Sequence, residues 1–247
     1  VEQVGRRERV QLVERRRDAI ERALALAAAA QPGWDAAGAE VRAGCLERLA
    51  GLLEQHCETL MGLIISEAGR TVDDALSEVR EAVDFCRYYA CRGRLGFATP
   101  LPLPGPTGEV NELSLHGRGV FLCISPWNFP LAIFTGQVVA ALMAGNSVIA
   151  KPAEQTPLIA ARAVSLMLEA GVPPEVIHLL PGDGATVGGA LVRDSRIAGV
   201  AFTGSTATAR LINRQLAERD GPIVPLIAET GGLNVMIVDA TALPEQV

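Results

Sequence analysis

The sequence lacks several features that would each point to a function class. Positive charge is not in excess: 22 lysines and arginines face 28 aspartates and glutamates, a net charge of −6. No basic face is large enough to neutralise a phosphate backbone, so a nucleic-acid partner is not expected. The arginine runs at 6–9 and 15–17 alternate with acids and apolar residues and read as a solvated helix face. Metal-ligand spacing is absent too. The five cysteines, Cys45, Cys57, Cys86, Cys91 and Cys123, are odd in number and have no histidine near enough to complete a zinc site. They read as reduced thiols packed as small hydrophobes, and no metal is expected. Residues 120–150 carry no charge, but Pro126, Asn128, Pro130, Gln137 and Asn146 divide them into pieces too short to span a bilayer. The N-terminus has no signal-peptide core and begins with valine, so the chain is expected to be part of a longer polypeptide in the cytoplasm. The glycine fingerprint G-x-G-x-x-G of dinucleotide-binding folds is also missing.

What is present falls into two rhythms. Residues 5–97 read as successive helices, with a break expected at Gly33-Trp34 after Pro32. One amphipathic helix is expected over 41–69, and Gly69 followed by Thr71, Asp73 and Asp74 marks a stop and a new start. The next helix places Ala75, Val79, Ala82, Phe85 and Tyr89 on one side. Residues 99–108 hold four prolines and two glycines and read as a linker without an element of its own. Residues 109–116 alternate like an exposed strand. From Val120 onward, short apolar runs at 120–124, 147–150, 176–180 and 199–202 are separated by helical patterns. That alternation predicts βαβ units and a parallel sheet covered on both faces, an α/β fold behind a helical N-terminal arm.

In such sheets ligands bind beyond the carboxyl ends of the strands, so the residues just after each run are the candidates. After 120–124 comes SPWNFP, in which Trp127 offers a flat apolar surface and Asn128 a side-chain amide. That amide suits an oxyanion donor, because it can be aimed without carrying charge. It equally suits a residue that satisfies loop backbone groups. After 147–150 comes KPAEQTP, whose Lys151 and Glu154 could grip the vicinal hydroxyls of a ribose or form a plain surface ion pair. A carboxylate there would repel a 2′-phosphate and favour NAD. After 176–180, PGDGATVGG lets backbone approach a ligand; His178 inside that run reads as a core histidine. After 199–202, Gly204 and Ser205 open a helix that either holds a pyrophosphate or is capped by the serine. A last apolar run delivers Glu229 beside Gly231-Gly232.

The ordered set SPWNFP, KPAEQTP, FTGST and ETGG resembles the aldehyde dehydrogenase superfamily, over essentially the whole chain. EAVDFCRYYA, HGRGVFLCISPWNFPLAIFTGQ, AKPAEQTPLIAA and LLPGDGATVG resemble, within it, the L-glutamate-γ-semialdehyde (pyrroline-5-carboxylate) dehydrogenase domain of bifunctional proline-utilization proteins. The resemblance implies a Rossmann-like NAD-binding domain at 119–224, preceded by a helical arm and linker at 1–108 and an oligomerisation-flap strand at 109–118. Residues 225–247 would begin a catalytic domain. It implies catalytic roles for Asn128 as oxyanion donor and Glu229 as general base. Cofactor contacts are implied for Ile124, Ser125, Pro126, Trp127, Lys151, Ala153, Glu154, Gly184, Phe202, Thr203, Gly204, Ser205, Thr208 and Gly231. NAD is the implied cofactor. FAD is expected only in a proline dehydrogenase domain of the same parent polypeptide, outside this chain. A small aldehyde substrate and a homo-oligomer of the full-length protein are also implied.

Three positions depart from the family pattern. Ala209 stands where a glycine is widespread, Thr230 where leucine is commoner, and the nucleophilic cysteine is expected beyond residue 247. Cys123 is no substitute, being inside a buried strand, and the other four thiols lie in the helical arm. The chain alone is therefore expected to be inactive. The competing reading is a non-catalytic nucleotide-binding or structural module.

Overall fold

The computed structural model describes residues 2–233 and 235–243, with side chains described from residue 17 onward. The acid-interleaved arginines at 6–9, and Arg15 and Arg16, thus lie outside the described side chains. The arm consists of α1 (Glu2–Ala36), α2 (Ala39–Gln55), α3 (Cys57–Ala68) and α4 (Val72–Phe97). Gly69 ends α3 in the left-handed conformation at φ 65°, and Thr71 caps α4 by accepting from the Asp74 N–H.

Three local expectations are corrected here. The first helix does not break at Pro32 but runs on to Ala36. Proline removes one intrahelical bond, and tertiary anchors hold the last turn regardless. Gln31 Nε2 donates to the Gly145 carbonyl at 2.9 Å, and Trp34 Nε1 to that of Leu142 at 2.9 Å. The single helix expected over 41–69 is two, parted at His56, where the backbone opens to φ −100° and ψ 18°. Both pieces bury leucines in one core, so the apolar period runs unbroken across the joint. Residues 99–108 do contain an element. β1 (Leu101–Leu103) pairs antiparallel with β2 (Asn111–Leu113), which is shorter than the 109–116 run. Pro102, opposite Glu112, costs the ladder at most one donor, so an exposed hairpin edge tolerates it.

The remainder is α/β: β3 (Val120–Ile124), α5 (Ala132–Met143), β4 (Ser147–Lys151), α6 (Pro157–Glu169), β5 (Ile177–Leu179), a π-turn at Gly184–Gly188, α7 (Gly189–Arg193), β6 (Ile197–Gly204), α8 (Thr206–Ala217) and β7 (Leu226–Thr230). The strands form one parallel sheet in the order β5-β4-β3-β6-β7. Side chains alternate across it as the pleat requires. Phe121, Cys123, Val148, Ala150 and Ala201 enter one core with α2–α6, while Val120, Leu122, Ile149, Val200 and Phe202 enter a second with α7 and α8. Helix α1 serves both: Ala23, Leu24 and Ala27 join the second core and Trp34 the first. Among the described residues no helix is long and apolar enough to cross a membrane.

The arm is locked to α5 through Arg42, which is 2% exposed. Its Nε donates to the Met143 carbonyl at 3.0 Å, and one terminal nitrogen donates to the carbonyls of Trp34 at 3.2 Å and Asp35 at 2.7 Å. Arg42→Ala strands the Trp34 and Met143 carbonyls, while that of Asp35 keeps the Gly38 N–H at 3.3 Å, and is expected to lower the unfolding free energy by about 2 kcal/mol. Urea denaturation measures it, and a loss below about 1 kcal/mol would show that water replaces the guanidinium.

Candidate functional site

The chain fills β3, β4 and β5 outward in one direction, then returns past β3 to lay down β6 and β7 on its other side. The carboxyl ends of β3 and β6 therefore splay at the point where the order reverses, which is where open α/β sheets hold ligands. Register brings the candidates together at that edge. Ile124 lies opposite both Lys151 and Phe202, Thr203 opposite Glu229, and Gly204 opposite Thr230.

A cleft of about 960 Å³ opens there. It is lined by Pro126, Trp127 and Asn128 from the β3 loop, Ala153 from the β4 loop, Phe202–Ser205 and Thr208 from β6 and α8, and Glu229 with Gly231 from β7. The loop after β3 starts by extending the ladder, Ser125 N–H donating to the Lys151 carbonyl at 3.2 Å. It then turns outward through two prolines, leaving Trp127 and Asn128 exposed. The Asn128 amide makes no hydrogen bond to a described residue. The role of satisfying loop backbone is thus not the one it plays here, and the residue lines the cleft. Glu229 is likewise exposed and makes neither a hydrogen bond nor an ion pair with a described residue. It also borders a second, mostly apolar cavity of about 590 Å³ between α4, α5 and the sheet.

A smaller recess of about 100 Å³ adjoins the cleft, walled by Ile124, Lys151, Gly184, Gly188 and Thr208 among others. Lys151 is buried, and its ammonium donates to the Pro152 carbonyl at 3.1 Å. Burial lowers its pKa, with Glu154 and Asp183 pulling the other way. Glu154 itself is exposed and no ion pair joins it to Lys151, so the surface ion pair is not formed. Gly184 opens the π-turn, whose N-cap Asp183 accepts from the Thr186 N–H at 2.8 Å. A Cβ at Gly184 would meet nothing within 4 Å, whereas one at Gly204 would come within 2.7 Å of the Phe202 ring. Gly204 is thus required for packing where the chain enters α8. Ser205 caps that helix, accepting from the Thr208 N–H at 3.1 Å. His178 is half-buried, its ring held to the Glu175 carbonyl at 3.0 Å.

None of the cysteines lines the cleft. Cys123 is fully enclosed in β3 and Cys86 in α4, and burial pushes each thiol up to about 12. Among the described residues no cluster of three histidines, cysteines or acids could hold a metal ion. The sequence reasoning overlooked Phe129, Ile133 and Gln137, which line the cleft or the adjoining cavity. Gln137 Nε2 donates to Thr203 Oγ1 at 3.0 Å and ties α5 to the strand beside Glu229. Their i, i+4 spacing from Phe129 was the available signal, once the helix after SPWNFP is taken to turn one face toward the strand ends.

Comparison with known proteins identifies the family. The profile of the aldehyde dehydrogenase family matches residues 6–247. The bifunctional protein PutA of Klebsiella aerogenes is 54% identical over 231 residues, covering 92% of this chain and 17% of that protein. A solved structure of proline utilization A with proline bound in remote sites superposes with a TM-score of 0.90 at 61% identity, covering 93% of this chain and 23% of the other. The 1-pyrroline-5-carboxylate dehydrogenase from Thermus, solved with bound NAD, gives a TM-score of 0.84 at 35% identity, covering 87% and 42%. The chain thus spans less than half of each of these relatives, and by its profile match and its fold it belongs to the aldehyde dehydrogenase family.

Proposed function

We propose that this chain is the NAD-binding part of an L-glutamate-γ-semialdehyde dehydrogenase. Its parent polypeptide would oxidise the aldehyde to L-glutamate in the cytoplasm, as a step of proline catabolism. The observation that carries this is the meeting of Asn128 and Glu229, neither engaged with a described residue, in one cleft that shares Thr208 with the recess walled by Lys151. A structural module has no use for a carboxylate held this way, which weighs against the non-catalytic reading.

The residues present fit a dinucleotide. A buried ammonium with a carbonyl partner borders a recess open at Gly184, and the exposed Glu154 carboxylate nearby suits a ribose diol and disfavours a 2′-phosphate. Lys151 and Glu154 would hold the ribose, Gly184 and Thr208 the adenine side, and Ile124, Ser125, Ala153 and Phe202–Ser205 the middle of the molecule. Pro126, Trp127 and Gly231 would flank it toward the reacting end. When bound, NAD supplies the hydride acceptor. The Asn128 amide donates to the oxygen of the aldehyde as negative charge develops on it, and does so without a charge of its own. Glu229 takes a proton from the water that hydrolyses the acyl-enzyme thioester. The thiol that forms that thioester comes from a part of the parent outside this chain, since the five thiols here are buried or lie away from the cleft.

In this reading residues 1–108 form the arm and linker, 109–118 an oligomerisation flap, 119–224 the cofactor domain and 225–247 the start of the catalytic domain. A proline dehydrogenase domain with FAD elsewhere in the parent, and a homo-oligomer of it, complete the proposal. The exposed leucines of the β1–β2 hairpin, Leu101, Leu103 and Leu113, suit a surface that another subunit covers.

Calorimetric titration tests the cofactor site. NAD⁺ is expected to bind the chain more tightly than NADP⁺, and Glu154→Ala is expected to weaken NAD⁺ binding by about tenfold while narrowing that preference. Absence of binding, or an unchanged affinity in Glu154→Ala, would refute the assignment. The chain alone is expected to form no NADH from glutamate semialdehyde and NAD⁺, whereas the parent polypeptide does. Iodoacetamide at mildly alkaline pH is expected to alkylate the exposed Cys91 first and to spare Cys86 and Cys123 until the protein is unfolded. Peptide mass mapping reads the order, and early labelling of Cys123 would reopen it as a nucleophile.

A further inference from the structure

The loop that carries Asn128 is not held by its own residues. Helix α5 starts at Ala132 with Leu131 in the capping position, which has no side chain able to accept a bond. Leu131 and Ala132 are both wholly buried, so water does not serve their N–H groups. The acceptor comes from α4, about fifty residues earlier. Glu78, 1% exposed, takes the Leu131 N–H at 2.8 Å and the Ala132 N–H at 3.4 Å on one carboxylate oxygen. A buried carboxylate is costly, and burial raises its pKa against the pull of the two amides and Arg70. A local cap such as serine would avoid that cost. It cannot stand at Leu131, where the core takes the side chain.

A second contact grips the same loop from the same corner. Arg70, in the turn between α3 and α4, sets its guanidinium 4.4 Å from the centroid of the Phe129 ring. Phe129 and Leu131 are thus both clamped from the α3–α4 corner, and Asn128 immediately precedes them. The Asn128 amide has no hydrogen bond of its own to a described residue, so its placement depends on the backbone beneath it. We propose that Glu78 and Arg70 are positioning residues: together they fix the loop so that the Asn128 amide faces the reacting oxygen without an anchor that would compete for its donors. This rests on the proposed role of Asn128, and the two can be tested apart.

The chain has two tryptophans. Trp127 stands next to Asn128, and Trp34 is buried at the arm junction with its indole N–H bonded to Leu142. Labelled with 5-fluorotryptophan, the protein reports both by fluorine NMR. Glu78→Ala is expected to move or broaden the Trp127 signal and leave that of Trp34 in place. Glu78→Gln, whose amide oxygen can still accept the two N–H groups, is expected to restore it. Arg70→Gln removes the ring contact from a partly exposed position and should disturb Trp127 even where Glu78→Ala proves too unstable to study. An unmoved Trp127 signal in folded Glu78→Ala, or in Arg70→Gln, would overturn the clamp. In the parent polypeptide, Glu78→Ala is expected to lower kcat about tenfold or more with KM for NAD⁺ within about twofold, and Glu78→Gln to recover most of the loss. A kcat unchanged while Trp127 moves would overturn the positioning role. A wild-type parent inactive on the aldehyde would instead refute the proposed reaction, and the fluorine signals would still decide whether the clamp exists.

Discussion

Parallel pairing of β3 with β4 on one side and β6 on the other is the constraint on which the rest depends. Parallel strands all end at one edge, and a central strand flanked on both sides must be apolar on both faces. Val120–Cys123 satisfy this by being wholly enclosed, which leaves the polar chemistry no place except past the strand ends. Because the chain order reverses at β3, the loops after β3 and β6 separate there and leave a cleft instead of packing together. Asn128, Gly204 and Glu229 come from three different strand ends and share one cleft for this reason alone.

The arm is part of the same arrangement. Helices α2 and α4 pack on α5 and α6 in the core on one face of the sheet, and α1 passes from one face to the other. Arg42 closes the junction at the carboxyl end of α5, while Glu78 supplies the missing cap at its amino end. Both ends of the helix behind the cleft are therefore terminated by charged side chains from the arm. Helix ends leave unpaired N–H and C=O groups that must be met if buried. Meeting them with long-range partners ties the position of Asn128 to the packing of a region remote in sequence.

The strands at 120–124, 147–150, 176–180 and 199–202 were legible because short uncharged runs between helical patterns have few other readings, and the candidate residues after them followed from where parallel sheets bind ligands. Gly69 and Thr71 were legible as stop and start because both act locally. Pro32, His56 and Leu101–Leu103 were not. A proline within a helix, a joint within an unbroken apolar period and a strand among prolines are each decided by distant partners: the carbonyls of Leu142 and Gly145, the shared core under α2 and α3, and the edge of β2. Glu78 looks in the sequence like one more acid on an amphipathic helix, and nothing near it marks it as buried.

The sequence by itself determined the fold class and the residue types available at each strand end, because periodicity, turn chemistry and the ordered motifs are local properties. Tertiary structure decided which alternatives are realised. Ser205 caps its helix, Lys151 and Glu154 remain unpaired with each other, and Asn128 lines the cleft with its amide unbonded to any described residue. Those outcomes depend on whether a partner lies within about 3 Å, a distance that only the folded chain defines.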